Sequence, residues 1–316
     1  MIRPGVVCCL AALAILAGLA SSGCRRPAAG PKQVVIGLTV PSLSHPFFVC
    51  IKNHVEDEAK QLGVKVIATD AEDVSAKQMA IVEDFIAQGV DGVLMAPIGA
   101  EALSPAVESL NRAGIPVATV DRKVARGDVL VHVGADNVEG GRVAARYIVE
   151  KLAGKGAVIE LEGTPGASPA IDRKKGFDEV IAASRLKLLA SQTAEFYRAK
   201  GQSVMENLLE VHHDFQAVYA ANDEMMLGAL EAMSAHGVPP GRVVTVGYDV
   251  IPDAARGIKE GRLTASVEQF PGQQARRALR LLVAKIRDGQ PPPRREIYLT
   301  PLVIDKSNLD RAEAKD

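Results

Sequence analysis

The amino-acid sequence predicts an α/β protein built from two doubly wound, parallel-sheet lobes. From Val34 onward, short and almost wholly apolar β-branched runs alternate with longer amphipathic stretches. This alternation is typical of a parallel sheet that helices cover on both faces. It occurs twice, from Val34 to about Asp136 and from about Asn137 to Gln269. The 316 residues also suffice for two domains, at about 100 to 200 residues each.

Seven apolar runs are predicted as strands, at 34–40, 64–68, 92–95, 117–120, 157–161, 217–220 and 243–246. Seven amphipathic stretches are predicted as helices, at 47–62, 76–88, 101–113, 138–152, 174–183, 203–211 and 225–236. A glycine follows four of these helices, at Gly63, Gly89, Gly114 and Gly237. Glycine adopts the left-handed backbone that commonly ends a helix, which supports these boundaries.

The first 23 residues are predicted to be a signal peptide. Arg3 precedes an uncharged apolar stretch from Val6 to Ala20, which is shorter than the roughly 20 residues that span a membrane. Gly23-Cys24 resembles the end of a bacterial lipoprotein signal, in which the cysteine becomes the lipidated first residue of the mature chain. The alternative is a signal cut elsewhere, which leaves a free periplasmic protein. Residues 24–32, with two prolines, are expected to form a flexible tether.

Composition and motifs exclude several classes of function. Lys and Arg number 37 against 38 Asp and Glu, so the chain lacks the clustered positive charge of a nucleic-acid-binding protein. The sequence contains no phosphate-binding loop, no His-Glu-x-x-His, no Cys-x-x-Cys and no Gly-x-Ser-x-Gly. His212 and His213 are interpreted as an exposed helix end rather than a metal site. We therefore expect no cofactor, no metal and no catalysis.

Polar and aromatic residues follow the predicted strands, where ligands of open α/β sheets bind. They are residues 41–48, Asp121, Arg122, Arg173, Phe196, Asn222, Asp249 and Gln269. Carboxylates, guanidinium groups and amides pair with hydroxyl groups that both donate and accept, and aromatic faces cover the C–H side of a sugar ring. The two carboxylates offset the two guanidinium groups, which favours an uncharged, polyhydroxylated ligand.

Each of these residues also has a structural interpretation. Asp121 and Asp249 could cap the elements that follow them, and Asn222 could cap the next helix, with Asp223 the better candidate. Arg173 precedes the predicted helix 174–183 and could be a solvated surface residue. Phe47 and Phe48 could both belong to the core. The convergence of so many of them at one kind of position favours a site.

Six motifs carry a resemblance to a known family. They are Pro46-Phe47-Phe48-Val49, Thr119-Val120-Asp121-Arg122, Ala135-Asp136-Asn137-Val138, Ala190-Ser191-Gln192, Ala221-Asn222-Asp223-Glu224-Met225 and Val246-Gly247-Tyr248-Asp249. On these motifs the chain resembles bacterial periplasmic sugar-binding proteins of the ribose-binding type, the solute receptors of ABC importers. The resemblance extends over nearly the whole chain that follows the signal peptide.

The resemblance implies a type I periplasmic binding protein fold, with two lobes joined by a three-segment hinge and the sugar between them. The crossings are expected near Asp136, Gln269 and Thr300. The N-terminal lobe would comprise 33–135 plus 270–299, and the C-terminal lobe 136–269 plus 300–316.

The resemblance also implies a role for each site residue. Hydrogen bonds to the sugar would come from Asp121, Arg122, Arg173, Asn222, Asp249 and Gln269, and its ring would lie among Phe47, Phe48 and Phe196. Pro41 and His45 stand where ribose-binding proteins usually have Ser and Asn. Ribose is thus the first candidate, beside a related pentose, ketose or small polyol, with His45 among the ligand-binding residues.

The function implied is sugar binding by hinge closure, without bond chemistry. The expected partners are the monosaccharide and an ABC permease in the inner membrane, and the protein is expected to be a periplasmic monomer anchored through lipidated Cys24. One alternative is a sugar sensor that presents its ligand to a chemoreceptor or sensor kinase. Another, a repressor-type effector domain, is disfavoured because a signal peptide stands where a DNA-binding segment would be.

Overall fold

The structure of the protein is a computed structural model, which describes Met1 and residues 33–313. Cys24, the expected tether at 24–32 and all but the first residue of the expected signal peptide lie outside the described residues. Within the described part of the chain, none of the helices is both long enough and apolar enough to cross a membrane.

Two six-stranded sheets organise the described residues. The strands are β1 (Val35–Val40), β2 (Lys65–Asp70), β3 (Gly92–Met95), β4 (Val117–Val120), β5 (Val131–Ala135), β6 (Ala157–Glu162), β7 (Lys187–Thr193), β8 (Ala217–Ala220), β9 (Val244–Tyr248), β10 (Ala265–Glu268), β11 (Glu296–Leu299) and β12 (Leu302–Asp305). The first sheet has the order β11-β5-β4-β3-β1-β2 and the second β12-β10-β9-β8-β6-β7. Neighbouring strands are parallel, except that β12 runs antiparallel to β10.

Nine helices in the described residues cover these sheets. They are α1 (Pro46–Leu62), α2 (Ser75–Gln88), α3 (Ser104–Arg112), α4 (Asn137–Lys151), α5 (Ser168–Ala183), α6 (Arg198–Leu209), α7 (Asp223–Ala235), α8 (Pro252–Glu260) and α9 (Pro271–Asp288). Five of them, α1, α3, α5, α8 and α9, have proline in the first turn, where its missing N–H costs no hydrogen bond. Each sheet with its helices forms one lobe, which confirms the predicted α/β fold class.

The chain passes between the two sheets three times. It leaves the first sheet after β5 and enters the second at β6, with α4 between them. It returns through α9, which follows β10 and precedes β11, and it then passes directly from β11 to β12. Three neighbouring segments therefore connect the lobes.

The seven predicted strands and seven predicted helices are all present. β3, β4 and β8 have the predicted bounds, and the ends of the other elements are shifted. The sequence-based prediction missed five strands, β5, β7, β10, β11 and β12, and the last two helices. The largest boundary error is at α5, which begins at Ser168 rather than at residue 174. Arg173 therefore lies inside this helix, and the prediction that it precedes the helix was wrong. The four glycines predicted to follow helices all have a left-handed φ, between 62° and 75°.

Glycine lets α4 and α5 approach each other closely in the second lobe. A Cβ on Gly141 would stand 2.0 Å from the carbonyl oxygen of Arg173, and one on Gly176 would stand 1.9 Å from that of Val138. Backbone atoms cannot turn aside as a side chain can. These two glycines therefore fix how near α5, which carries Arg173, lies to α4.

Candidate functional site

A cavity between the two lobes collects all ten residues that the sequence predicted for a ligand site. The ten are His45, Phe47, Phe48, Asp121, Arg122, Arg173, Phe196, Asn222, Asp249 and Gln269. The space among the lining side chains, with its open mouth included, has a volume of about 430 Å³. Both lobes contribute, because Asp121 follows β4 of the first sheet whereas Asn222 and Asp249 follow β8 and β9 of the second.

Three of these residues have a backbone conformation that is uncommon outside glycine. The φ angles of Asp121, Phe196 and Asp249 are 62°, 67° and 105°. Such positive φ values carry a steric cost for residues with a Cβ, and they occur preferentially at functional sites. Asp121 and Asp249 directly follow β4 and β9, and Phe196 lies three residues beyond the end of β7.

The structure separates the capping interpretations from one another. Asp121 does not cap a helix, because the next element after it is the strand β5. Asp249 does not cap α8, because that helix begins after Ile251, which makes no side-chain cap bond. Asn222 is the cap of α7, where its Oδ1 accepts a hydrogen bond from the amide of Met225 at 3.0 Å. The preference for Asp223 as the cap was wrong.

Asp223 is instead part of the buried structure. Its carboxylate accepts hydrogen bonds from the hydroxyl of Ser266 at 2.7 Å and from the amide of Ile251 at 3.0 Å.

The side-chain amide nitrogen of Asn222 takes no part in the helix cap. It donates a hydrogen bond to the carbonyl of Phe196 at 3.1 Å. Asn222 thus serves as a helix cap and lines the cavity at once.

Arg173 is buried, so its interpretation as a solvated surface residue was wrong. Only 3% of it is exposed. Its Nε donates to Oδ1 of Asn137 at 2.8 Å and its guanidinium donates to the carbonyl of Ala221 at 2.7 Å. The same guanidinium lies 3.6 Å from the ring centroid of Tyr248 and 3.7 Å from Oδ1 of Asp249. These contacts fix a positive charge beside the carboxylate of Asp249.

Arg122 lies among the aromatic rings of the cavity. Its guanidinium carbon is 5.2 Å from the ring centroid of Phe48 and 5.6 Å from that of Phe196. Phe47 contacts Phe48 edge to face, with 5.3 Å between the ring centroids. Both phenylalanines of α1 are buried and pack in the hydrophobic core while also lining the cavity. Phe47 and Phe48 therefore belong to the core and also line the cavity.

Three polar atoms of the cavity are buried and have no hydrogen-bond partner in the described structure. They are Oδ1 of Asp121, Nε of Arg122 and Oε1 of Gln269. The other end of the Gln269 amide is used, because its nitrogen donates to Oδ1 of Asp249 at 2.6 Å. A buried polar group without a partner costs about 1–3 kcal/mol. Two acceptors and one donor in a single cavity match a ligand whose groups both donate and accept.

The charges of the cavity balance. Asp121 and Asp249 face Arg122 and Arg173, while Glu224 is neutralised by a two-pronged ion pair with Arg198 at 3.0 and 2.9 Å. Burial raises the pKa of Asp249 to about 7, against the lowering effect of Arg173. Burial also raises the pKa of Asp121, although Arg122 and Arg173 oppose it. Ionisation of either carboxyl group is therefore less favourable in the folded protein than in water.

The two lobes touch along the edge of the cavity. The amide of Ala100 donates to the carbonyl of Gly166 at 3.1 Å, and the amide of Lys123 donates to the hydroxyl of Ser168 at 3.0 Å. In both pairs the donor belongs to the first lobe and the acceptor to the second. The cavity is therefore flanked by direct hydrogen bonds between the lobes.

Three lining residues were missed by the sequence-based prediction: Pro169, Glu224 and Ile251. Glu224 and Ile251 lie within two residues of predicted positions, so a wider window at each strand end would have found them. Pro169 lies in the first turn of α5, which the prediction had placed in a loop. Its detection depended on the correct start of that helix.

Among the described residues no group of His, Cys, Asp and Glu is arranged to hold a metal ion. His212 and His213 lie in the loop just after α6.

Cys50 of α1 carries a half-buried thiol. Burial raises the pKa of this thiol to about 12, which favours the protonated, unreactive form at neutral pH.

Comparisons with known proteins point to one family. The family model described as "Periplasmic binding protein domain" matches residues 36–291 of the chain. The ribose import binding protein RbsB of Bacillus subtilis (strain 168) is 49% identical over 241 residues, which cover 76% of this chain and 77% of that protein. The protein of the same name from Escherichia coli (strain K12) is 44% identical over 239 residues, covering 75% and 80% of the two chains.

A solved structure shows the same arrangement. The myo-inositol binding protein of Caulobacter, bound to myo-inositol, matches with a TM-score of 0.85 and 37% identity. The match covers 89% of this chain and 96% of that one.

Proposed function

The chain belongs to the periplasmic binding protein family, and on that premise we propose that it binds one uncharged monosaccharide in the interlobe cleft and delivers it to an ABC importer. The observation that carries the proposal is the set of unpartnered atoms on Asp121, Arg122 and Gln269 within a charge-balanced cavity. A sugar hydroxyl accepts from a guanidinium and donates to a carboxylate or an amide oxygen. A phosphate or carboxylate ligand would instead need surplus positive charge.

Ribose is the first candidate ligand, and a related pentose, a ketose or a small polyol are the others. The names of the relatives support this range, since two of them bind ribose and the solved structure holds myo-inositol. His45 lines the cleft where the ribose-binding pattern has Asn, and Pro41 stands where that pattern has Ser. His45 would thus give this chain a different wall at one side of the sugar.

Binding is proposed to close a hinge. His45, Phe47, Phe48, Asp121 and Arg122 would hold the sugar from the first lobe. Arg173, Phe196, Asn222, Asp249 and Gln269 would hold it from the second. A ligand that contacts both lobes binds the closed form more tightly and shifts the population toward it. We propose lobes of 33–135 plus 270–299 and 136–269 plus 300–316, supported by the membership of β5 and β11 in one sheet and of β6 and β12 in the other. The closed monomer would then dock on the permease.

A thermal-shift panel tests this function. It compares ribose, other pentoses, a ketose and myo-inositol with charged analogues such as ribose 5-phosphate and a uronic acid. At least one neutral ligand is expected to raise the melting temperature by several degrees, because a ligand at a thousand times its Kd stabilises by about 4 kcal/mol. The charged analogues should give no shift. Failure of every neutral sugar and polyol would reject the proposal, and an unchanged radius of gyration at saturation would reject closure.

We also propose export to the periplasm with anchoring through lipidated Cys24. The Gly23-Cys24 sequence after the apolar segment supports it. Replacing Cys24 with alanine should block processing and leave a longer, unprocessed form retained in the membrane fraction. Unchanged processing of this variant would favour a signal that is cut elsewhere.

A further inference from the structure

Asn137 contacts the guanidinium of Arg173 from outside the cavity. It is the first residue of α4, where the chain crosses from the first sheet to the second. Asn137 is buried and does not line the cavity. Its Oδ1 accepts the hydrogen bond that Nε of Arg173 donates at 2.8 Å. Asn137 is not among the ten predicted site residues, yet it is bonded directly to one of them.

The orientation of the Asn137 side chain is set at both ends of its amide. Nδ2 donates to the carbonyl of Ala135 at 3.3 Å, which turns Oδ1 toward Arg173. The hydroxyl of Tyr248 donates to the same Oδ1 at 3.4 Å. Gly140 leaves room for that hydroxyl, because a Cβ there would stand 2.0 Å from it. The acceptor that Arg173 uses therefore has one fixed orientation.

The guanidinium of Arg173 is in turn held in one position. Nε donates to Asn137, and Nη1 donates to the carbonyl of Ala221 at 2.7 Å. The ring of Tyr248 lies against the guanidinium, with 3.6 Å between the guanidinium carbon and the ring centroid. Because the guanidinium is planar and rigid, these contacts also fix the direction of Nη2. Arg173 lines the cavity, and Nη2 is the nitrogen that these contacts leave for the sugar.

We propose that Asn137 is a positioning residue, which orients the guanidinium of Arg173 for its hydrogen bond to the sugar. This inference rests on the proposed sugar-binding function. A long side chain loses conformational entropy when a ligand fixes it, and a side chain that the protein has already fixed avoids this loss on binding. Without Asn137, Nε of Arg173 would be a buried donor without an acceptor, and the guanidinium would turn to find another.

Asn137→Ala tests the effect on binding. The variant removes the acceptor and changes no residue that lines the cavity. Titration calorimetry with ribose and with myo-inositol should show a Kd about 5- to 20-fold higher for whichever of the two binds the wild-type protein. An unchanged Kd would overturn the proposal.

Asn308→Ala is the matched control. Asn308 also makes two side-chain hydrogen bonds, since its Nδ2 donates to the carbonyl of Val303 at 3.0 Å and its Oδ1 accepts from the amide of Asp305 at 2.8 Å. It does not line the cavity. Its loss should lower the melting temperature and change the Kd by less than about twofold, because distant sites act independently. Equal increases in Kd for Asn137→Ala and Asn308→Ala would overturn the positioning role.

The Nε–H signal of Arg173 separates this proposal from the sugar-binding proposal. In a proton–nitrogen NMR spectrum recorded without sugar, the signal is assigned by its loss in Arg173→Lys. Its exchange with solvent should be at least about tenfold slower than that of Arg256, whose side chain is 61% exposed. Asn137→Ala should remove this protection, whereas Asn308→Ala should keep it.

These exchange rates test the positioning role whether or not a sugar binds. Protection of Arg173 that depends on Asn137 would support the role even if no neutral sugar or polyol bound, a result that would reject the proposed function. If the Nε–H of Arg173 in the wild-type protein exchanged as fast as that of Arg256, the positioning role would be overturned, even where Asn137→Ala failed to fold.

Discussion

Replacing Asp121 with asparagine is expected to lower sugar affinity on the order of 30- to 100-fold. Asp121 lies at the end of β4 with one carboxylate oxygen buried and unpartnered, which we assign to a sugar hydroxyl. A hydrogen bond to a charged group contributes about 1.5–3 kcal/mol, and 1.4 kcal/mol corresponds to a factor of ten in Kd. Asparagine keeps the size of the side chain but loses the charge. Titration calorimetry of both proteins measures the difference.

The same substitution is expected to leave the melting temperature of the ligand-free protein unchanged or higher by a few degrees. Burial raises the pKa of Asp121 above its unfolded value, even with Arg122 and Arg173 nearby. For an acid with a raised pKa, ionisation disfavours the folded state, and the loss of stability is complete once the pH exceeds both pKa values. Above both pKa values, removal of this charge therefore takes away a penalty.

Asp223→Ala is the control for the stability measurement. Asp223 is also fully buried, but its carboxylate accepts hydrogen bonds from Ser266 and Ile251 and does not line the cavity. Its replacement by alanine should lower the melting temperature, because it leaves the buried amide of Ile251 and the hydroxyl of Ser266 without their acceptor. If Asp121→Asn destabilised the ligand-free protein as much as Asp223→Ala, Asp121 would be a structural residue rather than a binding residue.

Replacing Gly141 with alanine is expected to destabilise the protein by about 2–4 kcal/mol and to weaken sugar binding. The new Cβ would stand 2.0 Å from the carbonyl oxygen of Arg173, so α4 and α5 must separate. Overpacking costs about 1–3 kcal/mol where side chains can adjust, and more where the obstacle is backbone. Because α5 carries Arg173, the shift also moves a guanidinium of the site. Thermal unfolding and calorimetry on the same sample measure both effects.

Gly257→Ala is the control for that substitution. Gly257 lies inside α8, and a Cβ there would be 3.4 Å from Leu263, an ordinary contact. Alanine in the middle of a helix should stabilise it by about 0.5–1 kcal/mol. A Gly141→Ala protein as stable as Gly257→Ala would contradict the close crossing of α4 and α5.

The polar residues that directly follow strands could be predicted from the sequence. Asp121, Asn222 and Asp249 each come within two residues of a strand that reads as an apolar run. Their position at one edge of a sheet follows from the parallel order of strands. Their convergence on one cavity could be expected because ligands of such sheets lie beyond the strand ends.

Elements with buried polar residues or little burial could not be predicted in this way. β10 has the sequence Ala-Ser-Val-Glu, yet Ser266 and Glu268 are fully buried, because partners within the fold satisfy their polar groups. β11 and β12 have four residues each and lie at sheet edges, too short for a clear alternation. By contrast, α9 shows a legible helical pattern at Ala275, Ala278, Leu279 and Leu282, and was simply missed.

The start of α5 could not be predicted because the Gly-Thr-Pro-Gly-Ala-Ser-Pro segment ahead of Arg173 is rich in turn residues. Arg173 was therefore placed ahead of its helix.

Contacts between the lobes could not be predicted from sequence patterns either. The hydrogen bonds from Ala100 to Gly166 and from Lys123 to Ser168 join residues far apart in the sequence, and their formation depends on the relative placement of the two lobes. No periodicity of hydrophobic residues records such a pair.

The measurement that tests the central claim most directly is titration calorimetry of the wild-type protein with ribose, the other candidate pentoses, a ketose and myo-inositol. We expect one of them to bind with a stoichiometry of one per chain, and the affinity to fall in Asp121→Asn. Ribose 5-phosphate should give no heat of binding. Absence of binding by every neutral sugar and polyol, or tight binding of the phosphate, would contradict a charge-balanced sugar site in the cleft.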